Sequence, residues 1–443
     1  MLQHQPFLGH WSRRKALSIL FVQSKLGGIM DCLWITLADP DPATNGQLIY
    51  SQGLIQAAHA AGASLCVLGL SRTEKSTTPS DTHDLVWRLV KEEKLPRWQR
   101  LLVDKPDVAT RGISGPMSQA LDQALEARAW DAVVFDSICA GWAFDAVRRH
   151  GARSARPPRV VYLAHNHEVT AAQRIADESR GIRRIAKKID FLKTRRLERA
   201  LIAMADLVTS NTPEDCRRFV ADADGTPVAF LPPGYGGHRV AARTIDASIP
   251  RRAVVVGSFN WPPKRLALER FLAVAAAPLA KAGVELQFVG ETDSEYLAGV
   301  RVRYPSVSFV GRVDNVLPYM ADARLALVID LLGGFKLKGL DYVFNRIPIL
   351  SMRVALPGMP LKDGQSIGLF DSHEALAADV LRLIDDFDTL NQRQIAAYDA
   401  CAARFDWDRI GQHLLGHIRR AGRRQGRSPA VSTVARAITA EAD

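Results

Sequence analysis

The sequence has little of what defines several large protein classes. It contains five cysteines in 443 residues and no Cys-x-x-Cys pair, which argues against a zinc ribbon and a disulfide scaffold. Its longest early apolar run, residues 16–22, is much shorter than the roughly 20 residues of a membrane-spanning helix. Aromatic residues (7%) and charged residues (24%) occur at ordinary globular frequencies, which excludes a disordered or collagen-like chain. We therefore expect a globular protein of two or three domains, and the cysteine usage favours the cytoplasm.

The net charge of +11 is concentrated in three segments. Residues 1–29 and 417–443 carry +4 each, and residues 171–200 carry +6. A nucleic-acid enzyme more often spreads a basic stripe through its fold and interleaves aromatic residues, so we expect no nucleic-acid partner. We predict a flexible basic extension over residues 1–29 and a disordered basic tail over residues 416–443.

Short apolar runs alternate with helical patterns, which is typical of βαβ units in parallel sheets. Proline and glycine at residues 232–237 interrupt this alternation. We predict an α/β protein with two Rossmann-like doubly wound domains, residues 30–235 and 236–415, that face a central cleft. We expect one helix over residues 373–397 and a last helix that packs back on the first domain. The predicted strands are 32–37, 64–68, 132–135, 160–164, 207–210, 228–231, 253–256, 285–289, 306–310, 325–329 and 347–350.

Ligands of doubly wound sheets bind beyond the carboxyl ends of the strands. In the first half, Gly46 opens a helix and allows close backbone approach to an anionic group, with a plain strand-to-helix turn as the alternative interpretation. The strand over 160–164 runs into four polar residues that can contact a sugar hydroxyl or a phosphate. A structural polar cluster and a metal site are the alternatives, of which the metal is disfavoured. These four residues are His165, Asn166, His167 and Glu168.

Three Asp-x-Asp strings, at residues 39–41, 222–224 and 406–408, have the pattern of a divalent-metal motif. Such strings are common by chance, and none has a convergent third ligand nearby in sequence. We therefore predict no metal site.

In the second half, cationic residues follow strand ends where they suit a diphosphate. Lys264 and Arg265 begin a helix, and Arg312 and Val313 follow the strand over 306–310. A glycine-rich stretch then precedes a helix on which a cation and a carboxylate, three residues apart, share one face. The cation suits a diphosphate and the carboxylate suits ribose hydroxyls. This stretch contains Gly333, Gly334, Phe335, Lys336, Lys338 and Asp341.

The basic segment over residues 174–199 has regularly spaced apolar residues between its cations. This spacing suggests an amphipathic helix whose basic face contacts anionic lipid head groups. A solvated helix face is the alternative interpretation.

Several of these pieces, in this order, resemble the retaining GT-B glycosyltransferases of the family 4 type. Residues 160–168 look like the family's strand that ends in His-Asn-x-Glu, and residues 205–211 look like its next strand. Residues 231–234 resemble the Leu-Pro-Asn-Gly hinge. Residues 257–263 and 333–341 resemble the donor-site strings, and the resemblance covers about residues 30–415.

The resemblance implies transfer of a sugar with retention of anomeric configuration and without metal or cofactor. The second domain would hold a nucleotide-sugar donor, and the first a polysaccharide, a glycolipid or another saccharide or lipid-linked acceptor. The cysteine usage favours a cytoplasmic protein, and the basic segment over residues 174–199 predicts peripheral contact at the inner membrane face. His165 would approach the transferred sugar, and the backbone near Val313 would contact the base. Lys264 or Arg265 would contact the diphosphate together with Lys338, and Asp341 would contact the ribose.

The sequence departs from the family pattern at two places. The family's paired glutamates fall on Gly333 and Asp341, so the first carboxylate is missing. The family's arginine near the start of the second domain has no evident counterpart, and Lys264, Arg265 or Arg312 would supply its charge. A non-catalytic GT-B scaffold and a nucleotide-sugar epimerase are therefore alternative functions.

Overall fold

The computed structural model describes residues 28–41, 43, 45–71, 83–93 and 96–422. Most of the predicted N-terminal extension, residues 1–27, and the tail beyond residue 422 lie outside the described residues. All three Asp-x-Asp strings and the polar strand-end residues lie within the described residues.

The first domain contains a parallel seven-stranded sheet in the order β3-β2-β1-β4-β5-β6-β7. Strands β2 and β4 flank β1, so the chain leaves the sheet centre in both directions, and a crevice opens there at the carboxyl ends. Strands β2 and β4 are buried almost throughout, which is why they read as continuous apolar runs. The strands are β1 (Met30–Ala38), β2 (Ala63–Ser71), β3 (Leu85–Lys91), β4 (Ala132–Asp136), β5 (Arg159–Ala164), β6 (Leu207–Ser210) and β7 (Val228–Phe230).

Helices cover both faces of this sheet, and polar side chains cap several of them. The Asn45 side chain accepts a hydrogen bond from the Leu48 backbone at the first helix, and Thr212 caps the eighth in the same way. The helices are α1 (Gly46–Ala60), α2 (Arg97–Leu102), α3 (Asp107–Thr110), α4 (Gly115–Glu126), α5 (Phe144–Arg153), α6 (Glu168–Glu178), α7 (Gly181–Met204) and α8 (Pro213–Asp222), with a 3₁₀ helix over Ile138–Ala143.

The second domain repeats this topology with six parallel strands in the order β10-β9-β8-β11-β12-β13. Its crevice therefore opens between β8 and β11. The strands are β8 (Arg252–Val256), β9 (Glu285–Val289), β10 (Ser308–Gly311), β11 (Leu325–Val328), β12 (Ile349–Met352) and β13 (Gly368–Phe370). The helices are α9 (Pro262–Lys281), α10 (Ser294–Arg303), α11 (Leu317–Ala321), α12 (Leu337–Phe344), α13 (His373–Leu383), α14 (Phe387–Ala402) and α15 (Trp407–Arg420).

Helix α15 follows the second domain in sequence but packs on the first. Leu414 and Leu415 belong to the same apolar core as Tyr50 and Leu54 of α1. Gly411 lies at the crossing, where a Cβ would be 2.1 Å from the Ala57 carbonyl oxygen. The two helix backbones are therefore in direct contact.

The chain passes between the domains at two adjacent places. The linker from β7 to β8 packs on the second domain, where the Tyr235 ring stacks on Phe344 at 4.6 Å. The backbone N–H of Tyr235 donates to the carbonyl of Phe405, just before α15 begins. Both crossings thus lie side by side at one edge of the cleft.

Three sequence expectations are wrong in detail. Strands β3 and β13 were not predicted, because β3 is a sheet edge with charged residues and β13 has only three residues. The single helix expected over 373–397 is two helices, because the Asp386 carboxylate caps a new helix by accepting from the Thr389 backbone. The disordered tail does not begin at 416, because α15 continues to Arg420 with Ile418 buried.

Candidate functional site

A cleft of about 680 Å³ lies between the carboxyl ends of the two sheets. It brings together ten of the residues singled out in the sequence. Those from the first domain are Gly46, His165, Asn166 and Glu168, and those from the second are Lys264, Gly333, Gly334, Phe335, Lys336 and Lys338. Gly46 begins α1, and a Cβ there would lie 3.8 Å from the Leu337 side chain, so the domains are close at this point.

His165 is held by a carboxylate from the neighbouring strand. Its Nε2 lies 2.7 Å from Oδ1 of Asp136, the last residue of β4, and both side chains are buried. The indole N–H of Trp34 donates to the other oxygen of Asp136 at 3.0 Å. Burial alone would raise the pKa of Asp136, but hydrogen bonds from the His165, Trp34 and Ser51 side chains bring it below its ordinary value. The carboxylate is thus ionised and fixes the imidazole ring.

Glu168 and Asn166 stand at the start of α6, beside His165. The Asn166 amide donates to Glu168 Oε1 at 3.1 Å, and burial raises the pKa of Glu168 above its ordinary value. The backbone N–H groups of Glu168 and Val169 donate to the buried carboxylate of Glu198, at 3.0 and 2.9 Å. Glu198 therefore caps α6 and fixes the polar turn against the sheet.

His167 is not among the described residues that line this cleft. Its Nε2 is 3.0 Å from Asp222 and its Nδ1 is 2.7 Å from the Thr170 hydroxyl. The ring packs edge-on against Phe219. His167 comes after β5 has ended and directly precedes α6, and it lines a neighbouring cavity of about 510 Å³ together with Asn166, Gly333 and Gly334.

Three lysines surround one buried aspartate on the second-domain side. Lys338 Nζ donates to Asp330 Oδ2 at 2.6 Å, and Lys264 and Lys336 are close enough for their charges to act on both groups. Burial, and then the repulsion from Lys338, lower the pKa of Lys264. Burial would raise the pKa of Asp330, but the ammonium groups hold it below its ordinary value. The cluster carries two uncompensated positive charges inside the cleft.

Lys336 also holds the glycine-rich loop. Its ammonium donates to the carbonyls of Leu332 at 2.6 Å and Gly333 at 3.2 Å. Burial lowers its pKa from 10.5 to about 8, with Lys338 and Lys264 adding repulsion against the attraction of Asp330. Gly334 has φ of +95°, a conformation that side chains rarely adopt, so the loop requires glycine there.

Arg265, Arg312 and Val313 are not among the described residues that line the cleft. The Arg265 guanidinium donates to the Phe259 carbonyl and lies 4.5 Å from the Tyr296 ring centre, so it faces away. Arg312 is exposed and Val313 packs on the second-domain core, because both follow β10, the outermost strand. Of the three cations expected to replace the family's arginine, Lys264 is the one that lines the cleft.

Asp341 is not among the described residues that line the cleft with Lys338. The Lys338 side chain turns back to Asp330, whereas Asp341 lines a separate cavity of about 640 Å³ together with Tyr235 and Trp407. Burial raises the pKa of Asp341 to about 6, with the Tyr235 hydroxyl opposing. The missing first glutamate position, Gly333, does line the cleft.

The sequence reasoning missed Asp136, Asp330, Glu198 and Trp261. Asp136 and Asp330 follow buried apolar runs directly, so a charged residue at the carboxyl end of a central strand was the available signal. Glu198 lies within a charged helix and had no such signal. Trp261 lines the cleft and is 49% exposed, which marks it as an available aromatic face.

Within the described ranges, no three His, Cys, Asp or Glu side chains are grouped so that they could hold a metal ion. The five cysteines are all buried, and none of them forms a disulfide bond within the described residues. No helix in the described part of the chain is long and apolar enough to cross a membrane.

Comparisons with known proteins agree with this architecture. Residues 250–386 match the family model described as Glycosyl transferases group 1. The second half of the chain thus carries a glycosyl transferases group 1 domain. This domain spans β8 to α13 and includes all three lysines of the cluster. No curated protein matches the sequence.

Solved structures match nearly the whole described chain. Sucrose-phosphate synthase from Thermosynechococcus elongatus is 18% identical with a TM-score of 0.67, over 88% of this chain and 98% of that one. Anabaena HepE in complex with UDP-glucose is 14% identical with a TM-score of 0.60, over 88% and 99%. WaaG, a glycosyltransferase involved in lipopolysaccharide biosynthesis, is 15% identical with a TM-score of 0.59, over 87% and 99%. The GT-B fold predicted from the sequence is confirmed.

Proposed function

We propose that this protein is a glycosyltransferase that moves a sugar from a nucleotide-sugar donor to a saccharide or lipid-linked acceptor. The observation that carries the proposal is the lysine cluster of the second domain, directed into the cleft that His165 lines from the first. Two uncompensated positive charges suit a nucleoside diphosphate, whose binding would relieve the repulsion between the ammonium groups. The glycosyl transferases group 1 domain over residues 250–386 supports the same reaction.

In the proposed reaction, Lys264 and Lys338 stabilise the negative charge that develops on the leaving diphosphate. These cations are already in place, so little reorganisation accompanies the step. The leaving phosphate would accept the acceptor's proton on the same face of the sugar, which gives retention. The lysines would supply the charge that a metal ion could otherwise supply, so we propose a transfer independent of metal and cofactor. His165, Asn166 and Glu168 would contact the transferred sugar and the acceptor.

Asp341 and Val313 stay predictions from the family resemblance, as contacts of the ribose and the base. Neither lines the cleft in this structure. The proposal depends on the lysine cluster and does not require them.

The experiment is a thermal-shift series with nucleoside diphosphates and nucleotide sugars. A ligand at 100 times its dissociation constant stabilises the native state by about 2.7 kcal/mol, so binding is readily detected. Lys264→Ala removes a cation that has no hydrogen-bond partner in the described structure, and we expect it to weaken binding roughly 10- to 100-fold. Arg265→Ala is the matched control, because this adjacent guanidinium faces away from the cleft.

A shift with one nucleotide and its sugars that Lys264→Ala loses and Arg265→Ala keeps would support the donor site. Proton NMR of the first product would then report whether the anomeric configuration is retained. Equal loss in both variants would contradict the assignment of the site. Binding without transfer or donor hydrolysis would favour a scaffold, and donor conversion to an epimer without acceptor would favour an epimerase.

A further inference from the structure

Helix α7 exposes an apolar stripe that no other described part of the chain covers. Ile182, Ile185, Ile189 and Leu192 have exposed fractions of 84, 62, 45 and 50%. At 3.6 residues per turn, the 3-4-3 spacing places them within an arc of about 80°. The residues of α7 that pack on the domain lie on the other side of the helix, and they are Thr194, Leu197, Glu198, Leu201 and Ile202.

The same helix carries a dense, unbalanced positive charge. Its only acidic residues are Asp190, which accepts a backbone hydrogen bond from Asp107, and Glu198, which is buried. Eight cations of this segment have no carboxylate partner within the described residues. They are Arg180, Arg183, Arg184, Lys187, Lys188, Arg195, Arg196 and Arg199.

The apolar stripe and the positive charge together indicate what binds to this surface of α7. The 3-4-3 spacing also suits a helical partner, but a second copy of α7 would bring two rows of unpaired cations together. An anionic bilayer suits both features, because the apolar side chains of the stripe can be buried at the boundary of the acyl chains while the head groups neutralise the cations. We propose that α7 is the surface by which this protein lies on an anionic membrane.

This surface is continuous with the cleft. The Asp107 backbone N–H donates to the Asp190 carboxylate of α7 at 2.8 Å, and the adjacent Val108 is exposed and lines the cleft. Helix α6 begins at Glu168, which lines the cleft, and a connection of two residues joins its end to the start of α7. Given the proposed glycosyl transfer, on which this step rests, the cleft opens beside the bilayer, and the acceptor is a lipid-linked saccharide that reaches it from the membrane.

Vesicle flotation of the full chain tests the surface without any substrate. We expect binding to vesicles of equal phosphatidylcholine and phosphatidylglycerol, little binding to phosphatidylcholine alone, and weaker binding as salt increases. Lys188→Gln with Arg196→Gln, two exposed cations on the side of the stripe, should weaken binding about fivefold for each charge removed. Arg270→Gln with Lys281→Gln, two exposed cations of α9 in the second domain, is the charge-matched control.

The stripe has its own variant. Ile182→Ser with Ile185→Ser should lower vesicle binding by roughly tenfold or more, because the membrane-buried apolar area is lost. The control is Val302→Ser, which replaces an apolar side chain of the second domain that is 81% exposed. All of these positions are on the surface, so the thermal unfolding midpoints and the nucleotide-induced shift should match the wild type.

A fluorescent probe tests the position of the cleft mouth. Because the five native cysteines are buried, an environment-sensitive dye should label Leu102→Cys or Val302→Cys selectively. Leu102 is 79% exposed, and the ion pair between the neighbouring Arg100 and Asp107 places it near Asp107. Anionic vesicles should shift the emission at 102 and leave that at 302 unchanged.

Three results would overturn the proposal. They are vesicle binding that survives both α7 variants, an emission shift at 302 without one at 102, and no vesicle binding with self-association that Ile182→Ser and Ile185→Ser abolish. The last result would assign the stripe to a second copy of the chain. Nucleotide binding is measured without vesicles, so failure of the membrane surface and failure of the proposed transferase are distinguishable.

Discussion

The two ring nitrogens of His165 are in different situations. Nε2 is bonded to the ionised Asp136, whereas Nδ1 is buried with no partner among the described residues. Burying an N–H group without a hydrogen-bond partner costs more free energy than burying an unpaired nitrogen lone pair. The ring proton is therefore on Nε2, where Asp136 accepts it, and not on Nδ1. Asp136 is therefore a positioning residue, and Nδ1 is left to accept a hydrogen bond.

Asp136→Asn tests this role. An amide oxygen can accept from His165 or from Trp34 but not from both, so the ring loses its fixed tautomer. We expect the transfer rate to fall roughly 10- to 100-fold and its pH profile to shift, with the nucleotide-induced thermal shift retained. Asp131→Asn, which removes a surface ion pair with Arg156, is the control. An unchanged rate and pH profile would refute the positioning role.

The ammonium of Lys336 titrates close to physiological pH. Its pKa of about 8 lies below the 10.5 of the unfolded chain, so between these values the unfolded state binds more protons. Stability from this group therefore rises with pH over that window. A bound diphosphate favours the charged ammonium, so the affinity of the protein for the diphosphate should fall as the pH rises.

We predict that nucleoside diphosphate affinity falls by up to about tenfold per pH unit above pH 8, with proton uptake on binding. Calorimetry in two buffers of different ionisation enthalpy measures both quantities. Lys336→Met should abolish the proton uptake, and Lys336→Arg should keep affinity constant across this range. Proton uptake that persists in Lys336→Met would assign the titration to another group.

At the scale of elements, the fold is most predictable where strands are buried on both faces. Strands β4 and β11 are apolar apart from Asp136 at the end of β4, and the sequence predicts both to within a residue or two. Strand β3 is not predicted, because it is an edge strand and charged residues interrupt its apolar pattern. The directions of the side chains on α12 are not predicted either. The three-residue spacing does not reveal that Lys338 donates back to Asp330, whereas Asp341 lies beside Tyr235.

The α1–α15 crossing offers a matched pair of glycines on one helix. A Cβ at Gly411 would lie 2.1 Å from the Ala57 backbone, so Gly411→Ala should cost roughly 1–3 kcal/mol through a forced shift of α15. At Gly416 the nearest contact is the flexible end of Arg420 at 3.3 Å. Gly416→Ala should therefore stabilise by about 0.5–1 kcal/mol. Urea unfolding measures both, and equal effects would mean that the crossing is not limited by the backbone.

At the scale of the whole molecule, the sequence predicts two doubly wound domains and the strand ends that form the cleft. It does not predict which polar side chains pair across it. The contacts of His165 with Asp136 and of Lys338 with Asp330 depend on strand order and side-chain direction. For the same reason, Lys264 and Arg265 are equivalent in sequence and opposite in orientation.

The return of α15 to the first domain has a consequence for biosynthesis. Ile410, Leu414 and Ile418 complete the core around Tyr50, yet they are among the last described residues to leave the ribosome. At about 5–20 residues per second, the apolar face of α1 waits roughly 10–40 seconds while the second domain is made. The domain that is synthesised first is therefore completed last, and its uncovered face is where a nascent chain of this protein would recruit a chaperone.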